Sequence, residues 1–392
     1  MVQVQNQASA NPLQNSPLFH LSLTSKELFH SNFLYWLGMT YRDLFKESFS
    51  KLGCNTAAWP DKWEVEREYK HLDLCVKGPG KRGKIYLVLE NKVKSIPNQK
   101  QLNRYAAIGN KAPTCDFVLL SLVTDFPDKD QIDANSGGKW IIWNYGDLAA
   151  ALPNALSSYV SSVSSVPKVS TYHGEIIKDY IKLAEGLHGL FGKLTVIDNA
   201  RYCDNVSQVY ANLRMDDVYE KVRASLLAGR LKRMLKDRFA DRDIAIESGY
   251  KIEKIGEQSE LFFTKVYVDS GFTRGMGLVE AKVKINDRYV LAVQIQGEQY
   301  RHAIEWFNFN TEQDQWTQTQ KEKLPSGWFT SAAYVKQPDG RTKDHCKYVD
   351  NKKSNSIFLY RYRKIKDNET VDNVLNEVVD DICHIFETYG QH

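Results

Sequence analysis

Residues 85–92 read Ile-Tyr-Leu-Val-Leu-Glu-Asn-Lys, an apolar run that ends in charge. An apolar run without alternation is typical of a strand that is buried on both faces in the middle of a sheet. Such a strand rarely ends in charge without a reason, because an unpaired buried carboxylate is costly to keep ionised. Side chains two residues apart in a strand share a face, so Glu90 and Lys92 are predicted to point to the same side.

The flanking sequence predicts partners for these two side chains. Upstream, residues 63–77 are predicted to form a second strand that carries Asp73, followed by the turn signal Gly-Pro-Gly at 78–80. If the two strands form a hairpin, Asp73 lies diagonally across from Glu90, close enough for one cation to touch both carboxylates. Downstream of Pro97, a helix is predicted to begin with Gln101.

Two carboxylates and an ammonium on adjacent strands have a chemical use. Mg²⁺ is held by oxygen ligands and takes one or two carboxylates, together with waters and substrate phosphate. A cation bound in this way polarises a phosphodiester and makes a nucleophile of its water. A lysine two residues further on can orient that water or neutralise the charge that develops on the phosphate.

This order of residues, Asp, Glu-x-Lys and then Gln-x-x-x-Tyr on a helix, resembles the PD-(D/E)XK nuclease superfamily, and most of all its branch with the Q-x-x-x-Y signature. The resemblance covers roughly the first half of the chain. The sequence departs from the first motif at one position, since Leu72 precedes Asp73 where the motif has proline. That proline is commonly absent in the superfamily.

The resemblance implies an α/β fold, a restriction-endonuclease-like core whose central mixed β-sheet is flanked by helices. It also implies Mg²⁺ as the cofactor, with Mn²⁺ as a substitute. The residues that it assigns to the site are the metal ligands Asp73 and Glu90, the catalytic Lys92, and the helix residues Gln101 and Tyr105.

Glu27 is a further candidate metal ligand. A helix is predicted to open here, with Thr24 or Ser25 as its cap. Related nucleases often place an acidic residue on this first helix near the metal. The alternative is a glutamate that is favoured in a first helical turn by the helix dipole. The sequence leaves both interpretations open.

Length and composition predict a two-domain globular protein. The chain has 392 residues, of which 42% are hydrophobic and 26% charged. Its net charge of +4 permits nucleic-acid binding without arguing for it. We place a nuclease-like domain at residues 1–200, with a loose polar tail over about residues 1–17, and a second domain at 201–392.

Several classes of protein are not indicated by the sequence. Its six cysteines have no C-x-x-C spacing, so neither a zinc site nor a disulfide framework follows. The first residues lack the basic and apolar segments of a signal peptide. No run approaches the ~20 apolar residues that a membrane helix needs. We therefore expect a cytoplasmic protein with reduced thiols and no membrane partner.

The second domain is predicted to be α+β with an antiparallel sheet. Its expected elements are a helical region at 206–239, strands at 261–268, 278–285 and 289–296, a helix at 299–307, a strand at 357–362 and a closing helix at 371–388.

This second domain contains an imitation of the motif, formed by Asp269, Glu280 and Lys282, with Gln296 and Tyr300 after them. Apolar and charged residues alternate around Glu280, which is typical of an antiparallel strand with one wet face. We therefore expect these charges to be solvated and Gln296 to end a strand, so this copy is not predicted to be catalytic. Removal of Lys282 should then change the stability little.

The function expected from the sequence is that of a metal-dependent nuclease that hydrolyses DNA phosphodiester bonds. The alternative is a catalytically silent nucleic-acid-binding or assembly module that retains the fold. Retention of Asp73, Glu90 and Lys92 argues against it, since a silent copy usually loses one of them. A role in host defence or mobile-element biology would fit the resemblance. The sequence does not determine whether the substrate is DNA or RNA, or whether cleavage takes place at ends or in the interior. It also leaves open the sequence specificity and the oligomeric state, with a homodimer as one option.

Overall fold

The computed structural model of the chain divides into two compact units. The first holds the described parts of Gln3–Thr195 and Val206–Val222, and the second those of Val196–Asn205 and Arg223–His392. The predicted boundary after residue 200 stays a prediction. The described residues are 13, 16–25, 27–81, 83–93, 99–109, 114–122, 140–161, 169–192, 194, 199–203, 207–248, 264–285, 289–307, 345–349 and 356–389. Within them, no helix combines the length and the apolar character needed to cross a membrane.

The first unit is built on a mixed sheet, as the sequence predicts. Among the described residues its strands lie in the order β1-β2-β3-β4-β5. The pairs β1–β2 and β2–β3 are antiparallel, whereas β3–β4 and β4–β5 are parallel. The strands are β1 (Glu64–Arg67), β2 (Leu74–Lys77), β3 (Ile85–Lys92), β4 (Asp116–Ser121) and β5 (Trp140–Asn144).

Helices flank this sheet, which agrees with the predicted fold class. In chain order the helices described in this unit are α1 (Pro17–Ser25), α2 (Glu27–Thr40), α3 (Arg42–Lys51), α4 (Gln99–Gly109), α5 (Tyr145–Ser161), α6 (Thr171–Leu187) and α7 (Ser207–Asn212). The residues of β3 from Leu87 onward are all buried, which confirms a strand covered on both faces. Val88 belongs to a buried cluster with Leu102 and Ala106 of α4, so this helix covers the face of β3 that carries Val88.

The predicted strand at 63–77 is wrong as a single element, because the chain turns back between β1 and β2. Glu68, Lys70 and His71 have φ angles of 54°, 55° and 70°, in the left-handed region. Residues other than glycine and asparagine adopt this region rarely, so the sequence carries no turn signal here. The reversal makes β1 and β2 an antiparallel pair and leaves Asp73 at the entrance to β2.

The helices at the start of the chain also differ from the prediction. The sequence predicts a helix with Thr24 or Ser25 as its cap, and α2 does begin at Glu27, but both cap candidates lie inside α1, which begins at Pro17. Proline is favoured at a first helical position, and Phe19 of α1 is buried. α5 ends at Ser161, and residues 162–168 lie outside the described residues.

The second unit has a sheet with the order β11-β12-β10-β9-β8-β7-β6 in the described part of the chain. Neighbours are antiparallel except β6 and β7. The elements are the part of α8 (Asp216–Arg238) from Arg223 onward, β6 (Ala245–Glu247), β7 (Lys265–Thr273), β8 (Met276–Lys284), β9 (Tyr289–Gln296), β10 (Gln299–Phe307), β11 (His345–Val349), β12 (Ser356–Lys364) and α9 (Val371–Tyr389). Apolar residues of this sheet share a buried cluster with residues of α8 and α9.

The helix predicted at 299–307 is wrong, because these residues form β10. β10 pairs with β9 through a tight turn in which Gln299 lies opposite Gln296. Gly297 has a φ angle of 54°, a conformation that glycine adopts without strain. The helical interpretation relied on spacing alone, whereas β10 lies between β9 and β12 and is buried on both faces from Tyr300 to Ile304. The end of β9 at Gln296 is confirmed.

The expectation that the Glu280 and Lys282 charges are solvated is also wrong. The side chains of Lys282 and Glu280 are only 10% and 14% exposed, and Lys282 Nζ lies 3.1 Å from Glu280 Oε1. Lys282 Nζ also contacts Glu305 Oε1 at 2.9 Å, and Gln294 Nε2 donates to Glu280 Oε2 at 2.8 Å. The alternation of apolar and charged residues predicts the strand correctly, but it does not indicate which residues cover the polar face of that strand. The result is a buried ion cluster.

This cluster changes the expected effect of removing Lys282. Lys282→Ala should lower the free energy of unfolding by about 3 kcal/mol, because it leaves two buried carboxylates without their cation. Lys364→Ala is the matched control, since Lys364 forms an exposed pair with Glu298 and should leave the stability close to that of wild type. Urea unfolding of both variants measures the difference. Equal, small losses would mean that the charges of the cluster are hydrated after all.

Candidate active site

Glu90 lies near the end of β3 and is buried, with 1% of the residue exposed. Its Oε1 accepts hydrogen bonds from Lys92 Nζ at 2.5 Å and from Gln101 Nε2 at 2.7 Å. Its Oε2 is also buried and has no hydrogen-bond partner among the described residues. Burial and the neighbouring Asp73 carboxylate raise the pKa of Glu90 to about 7, although Lys92 opposes the shift. Glu90 thus has one oxygen that is held and one that is left for a ligand.

Asp73 lies beside Glu90. The ladder between β2 and β3 pairs Leu74 with Leu89, so its next step brings Asp73 opposite Glu90. The backbone N–H of Asn91 donates a hydrogen bond to Asp73 Oδ2 at 2.7 Å. Burial raises the pKa of Asp73, while this hydrogen bond and the Lys92 ammonium work against the shift. The two carboxyl groups that the sequence predicts to be neighbours are therefore brought together.

Lys92 shares the face of β3 with Glu90, and its side chain is 7% exposed. Burial alone would lower the pKa of this amine, but the carboxylates of Glu90, Glu27 and Asp73 together outweigh burial and the pKa is raised. Lys92 is therefore an ammonium that lies beside two carboxyl groups. Its predicted role as the catalytic lysine stays a prediction.

Gln101 and Tyr105 lie one helical turn apart on α4, which confirms the helix predicted for them. Residues at this spacing share a helix face. Gln101 Nε2 donates to Tyr105 Oη at 2.9 Å as well as to Glu90, so both side chains lie on the Glu90 side of β3. Their part in catalysis is not tested by this geometry.

Glu27 is the first residue of α2, and its Oε1 accepts a hydrogen bond from the backbone N–H of Val93 at 3.2 Å. Burial is the largest cause of the raised pKa of Asp73 and of Glu90, and the negative charge of Glu27 also contributes. Glu27 thus lies at the same end of β3 as the other two carboxylates. Whether it binds metal or only favours the start of the helix stays open, and its role as a ligand stays a prediction.

The set of carboxylates available to a divalent cation near the end of β3 is small. Among the described residues, no group of three or more His, Cys, Asp and Glu side chains is close enough to hold a metal ion. Mg²⁺ needs fewer, since it takes one or two carboxylates and completes its shell with water and phosphate oxygens. The buried Oε2 of Glu90, which has no donor in the described part of the chain, lies next to the Asp73 carboxylate. These two residues fit such a cation.

Sequence reasoning missed two residues beside the site, Asn91 and Tyr145. Asn91 is fully buried, and its side chain bonds to α2 and to Tyr145 at the start of α5. The signal was present, since a polar residue inside a buried strand needs hydrogen-bond partners. Its partners could not be identified from sequence, because Tyr145 lies 54 residues away in the chain.

Comparison with known proteins supplies one match. The family model of the PD-(D/E)XK nuclease superfamily matches residues 18–180, the region that contains the mixed sheet and all the candidate site residues. Members of this superfamily generally hydrolyse phosphodiester bonds and typically use divalent metals. No curated protein and no solved structure gives a significant match. The assignment to the Q-x-x-x-Y branch stays a prediction.

The raised pKa of Glu90 predicts a pH-dependent stability of the metal-free protein. A carboxyl group with a raised folded-state pKa contributes stability that is present below its unfolded pKa and is lost as the pH rises through the folded value. Wild type in a chelator should therefore lose about 3 kcal/mol, relative to Glu90→Gln, between pH 4.5 and pH 8.

Urea unfolding of both proteins across this pH range measures the difference. Asp73 and Lys92 face Glu90 in both proteins, so the difference between the two pH profiles reports the Glu90 carboxyl together with its coupling to these two groups. Glu47→Gln removes a half-exposed carboxylate paired with Lys51 and serves as the control that should keep the wild-type profile. Parallel pH profiles for wild type and Glu90→Gln would contradict a raised pKa at this position.

Proposed function

We propose that this protein is a metal-dependent nuclease that hydrolyses DNA phosphodiester bonds, because the family model of the PD-(D/E)XK nuclease superfamily matches residues 18–180. Asp73 and Glu90 would hold a Mg²⁺ ion, for which Mn²⁺ could substitute, and Glu27 is a third candidate ligand. Lys92 would be the catalytic lysine, with Gln101 and Tyr105 beside it. The cytoplasmic location and a role in host defence or mobile-element biology remain parts of this proposal.

The observation that carries the proposal is the unequal use of the two oxygens of Glu90. Lys92 and Gln101 both donate to Oε1, and this fixes the orientation of the carboxylate. Oε2 is buried beside Asp73 without a donor among the described residues, an arrangement that is costly unless something binds there. In the metal-free protein this cost is relieved when Asp73 and Glu90 share a proton, because the pKa of both carboxyls is raised, and a divalent cation would take the place of that proton.

Each residue of the site has a definable task in phosphodiester hydrolysis. A bound divalent cation would polarise the phosphodiester and lower the pKa of a coordinated water. Lys92 carries a positive charge beside the carboxylates and can donate a hydrogen bond to a phosphate oxygen or orient the attacking water. Gln101 holds Glu90 and is itself linked to Tyr105, so the carboxylate keeps one orientation.

Exposed cations near the site support a nucleic-acid substrate. Lys70 is exposed in the turn before Asp73. Arg104 is exposed on α4 between the two site residues of that helix. Basic side chains around a phosphodiesterase site can bind the backbone phosphates that flank the scissile bond. The choice of DNA over RNA rests on the resemblance alone.

Metal binding tests the ligand assignment. Glu90→Ala should abolish the binding of Mn²⁺ measured by titration calorimetry, because it removes the oxygen that has no other partner. Glu175→Ala is the matched control, since Glu175 is a surface carboxylate paired with Lys178 and should leave binding unchanged. Circular dichroism verifies that both variants are folded. Unchanged Mn²⁺ affinity in Glu90→Ala would remove Glu90 from the metal site.

Cleavage kinetics test the role of Lys92. Lys92→Ala should lower the single-turnover rate of DNA cleavage by roughly 100-fold or more, the usual scale for a lost general base or electrostatic partner. DNA affinity should fall only by the contribution of one phosphate contact. Lys92→Arg should not restore the rate, because a planar guanidinium delivers its charge in another geometry. Lys178→Ala, at an exposed ion pair, should cut at the wild-type rate.

The substrates for this experiment are linear and circular DNA and single-stranded RNA, each with Mg²⁺, with Mn²⁺ and with a chelator. Cleavage of RNA but not of DNA would support the nuclease activity and show that its substrate is RNA. Binding of DNA without cleavage under any of these conditions would favour the silent nucleic-acid-binding module instead. Cleavage by Lys92→Ala at the wild-type rate would remove that lysine from the chemical step.

A further inference from the structure

Asn91 points to the side of β3 opposite Glu90 and Lys92, because successive side chains of a strand alternate between faces. It is 0% exposed. Its Nδ2 donates a hydrogen bond to the main-chain carbonyl of Glu27 at 2.7 Å, and its Oδ1 accepts one from Tyr145 Oη at 2.6 Å. The amide therefore joins three elements, β3, the first turn of α2 and the start of α5.

The main chain around Asn91 contacts the candidate ligands directly. The Asn91 N–H donates to Asp73 Oδ2 at 2.7 Å, and the Val93 N–H donates to Glu27 Oε1 at 3.2 Å. Together with the side-chain bond to the Glu27 carbonyl, these contacts fix Glu27 at two points and Asp73 at one. Any movement of Asn91 would therefore shift Glu27 relative to Asp73 and Glu90.

Tyr145 determines where the Asn91 amide lies. Its side chain is fully buried, so its hydroxyl requires a hydrogen-bond partner, and Asn91 provides it. The ring packs edge-on against His30 of α2, with ring centroids 4.7 Å apart. Burial raises the pKa of Tyr145 well above its usual value, so the phenol keeps its proton and remains the donor. The tyrosine is thus held by packing on one side and holds the amide on the other.

We propose that Asn91 and Tyr145 are positioning residues that hold the Glu27 carboxylate near Asp73 and Glu90, where its negative charge would strengthen divalent-cation binding by that pair. The inference rests on the proposed metal site and extends it to two residues that touch neither metal nor substrate. Partners that orient metal ligands contribute strongly to affinity, and their loss typically costs about 10- to 100-fold.

The first test is Mn²⁺ binding by Tyr145→Phe, measured by titration calorimetry on the full chain. The variant loses only a hydroxyl, and its Mn²⁺ affinity should fall by about 10-fold. The matched control is Tyr210→Phe, since Tyr210 is also fully buried and its hydroxyl donates to the Leu190 carbonyl at 2.9 Å. That variant loses the same group away from the site and should bind Mn²⁺ as wild type does.

The second test asks whether Tyr145 acts through Glu27. If it does, Tyr145→Phe should change Mn²⁺ affinity far less when Glu27 has already been replaced by glutamine, so the two effects should not add. The melting temperature with and without Mn²⁺ gives an independent readout, because a cation that binds only the folded state raises it. In Tyr145→Phe this Mn²⁺-induced rise should shrink, whereas in Tyr210→Phe it should keep the wild-type size.

The outcomes separate this inference from the proposed function. If wild type binds Mn²⁺ and Glu90→Ala does not, while Tyr145→Phe binds as tightly as Tyr210→Phe, the inference is wrong and the metal site stands. Additive effects of the Glu27 and Tyr145 changes would likewise overturn positioning through Glu27. If wild type itself binds no divalent cation, the proposed function fails and the inference fails with it.

Discussion

The burial of the Glu90 carboxylate at the end of a central strand is the constraint on which the first unit depends. A carboxylate loses much of its hydration in such a position, and only an ammonium and good hydrogen bonds can offset that loss. Lys92 and Gln101 supply both, from the same strand and from α4. The strand, the helix and the hairpin partner are therefore tied to one another by the need to satisfy this single group.

The location of the site could be predicted because its signal is local. An apolar run that ends in charge identifies both the buried strand and the polar group that needs partners. The position of Asp73 beside Glu90 is harder to predict, because it depends on the turn formed by Glu68, Lys70 and His71. Three non-glycine residues in left-handed conformations have no local cause in the sequence, so the turn must be stabilised by contacts made after folding.

The second unit shows where local patterns are insufficient. Alternation around Glu280 predicts a strand, and the strand is there, but burial of its polar face depends on neighbours that are distant in the chain. The same holds for Gln299–Phe307, where the spacing of apolar residues is compatible with a helix and the pairing with β9 and β12 decides for a strand. In both places tertiary contacts override the local preference.

The two Glu-x-Lys triplets of this chain differ in how many oxygens of the glutamate have a donor. At Glu280 both oxygens are used, one by Lys282 and the other by Gln294, and Lys282 in turn contacts Glu305. At Glu90 two donors converge on one oxygen, while the other is buried without a donor in the described part of the chain. A saturated cluster fixes the geometry of a sheet and has no capacity left for a ligand. An unsaturated one lowers stability, because a buried acceptor without a donor is costly. The same Glu-x-Lys pattern can therefore occur in a saturated ion cluster or beside a carboxylate oxygen without a donor, and the surrounding residues decide between them.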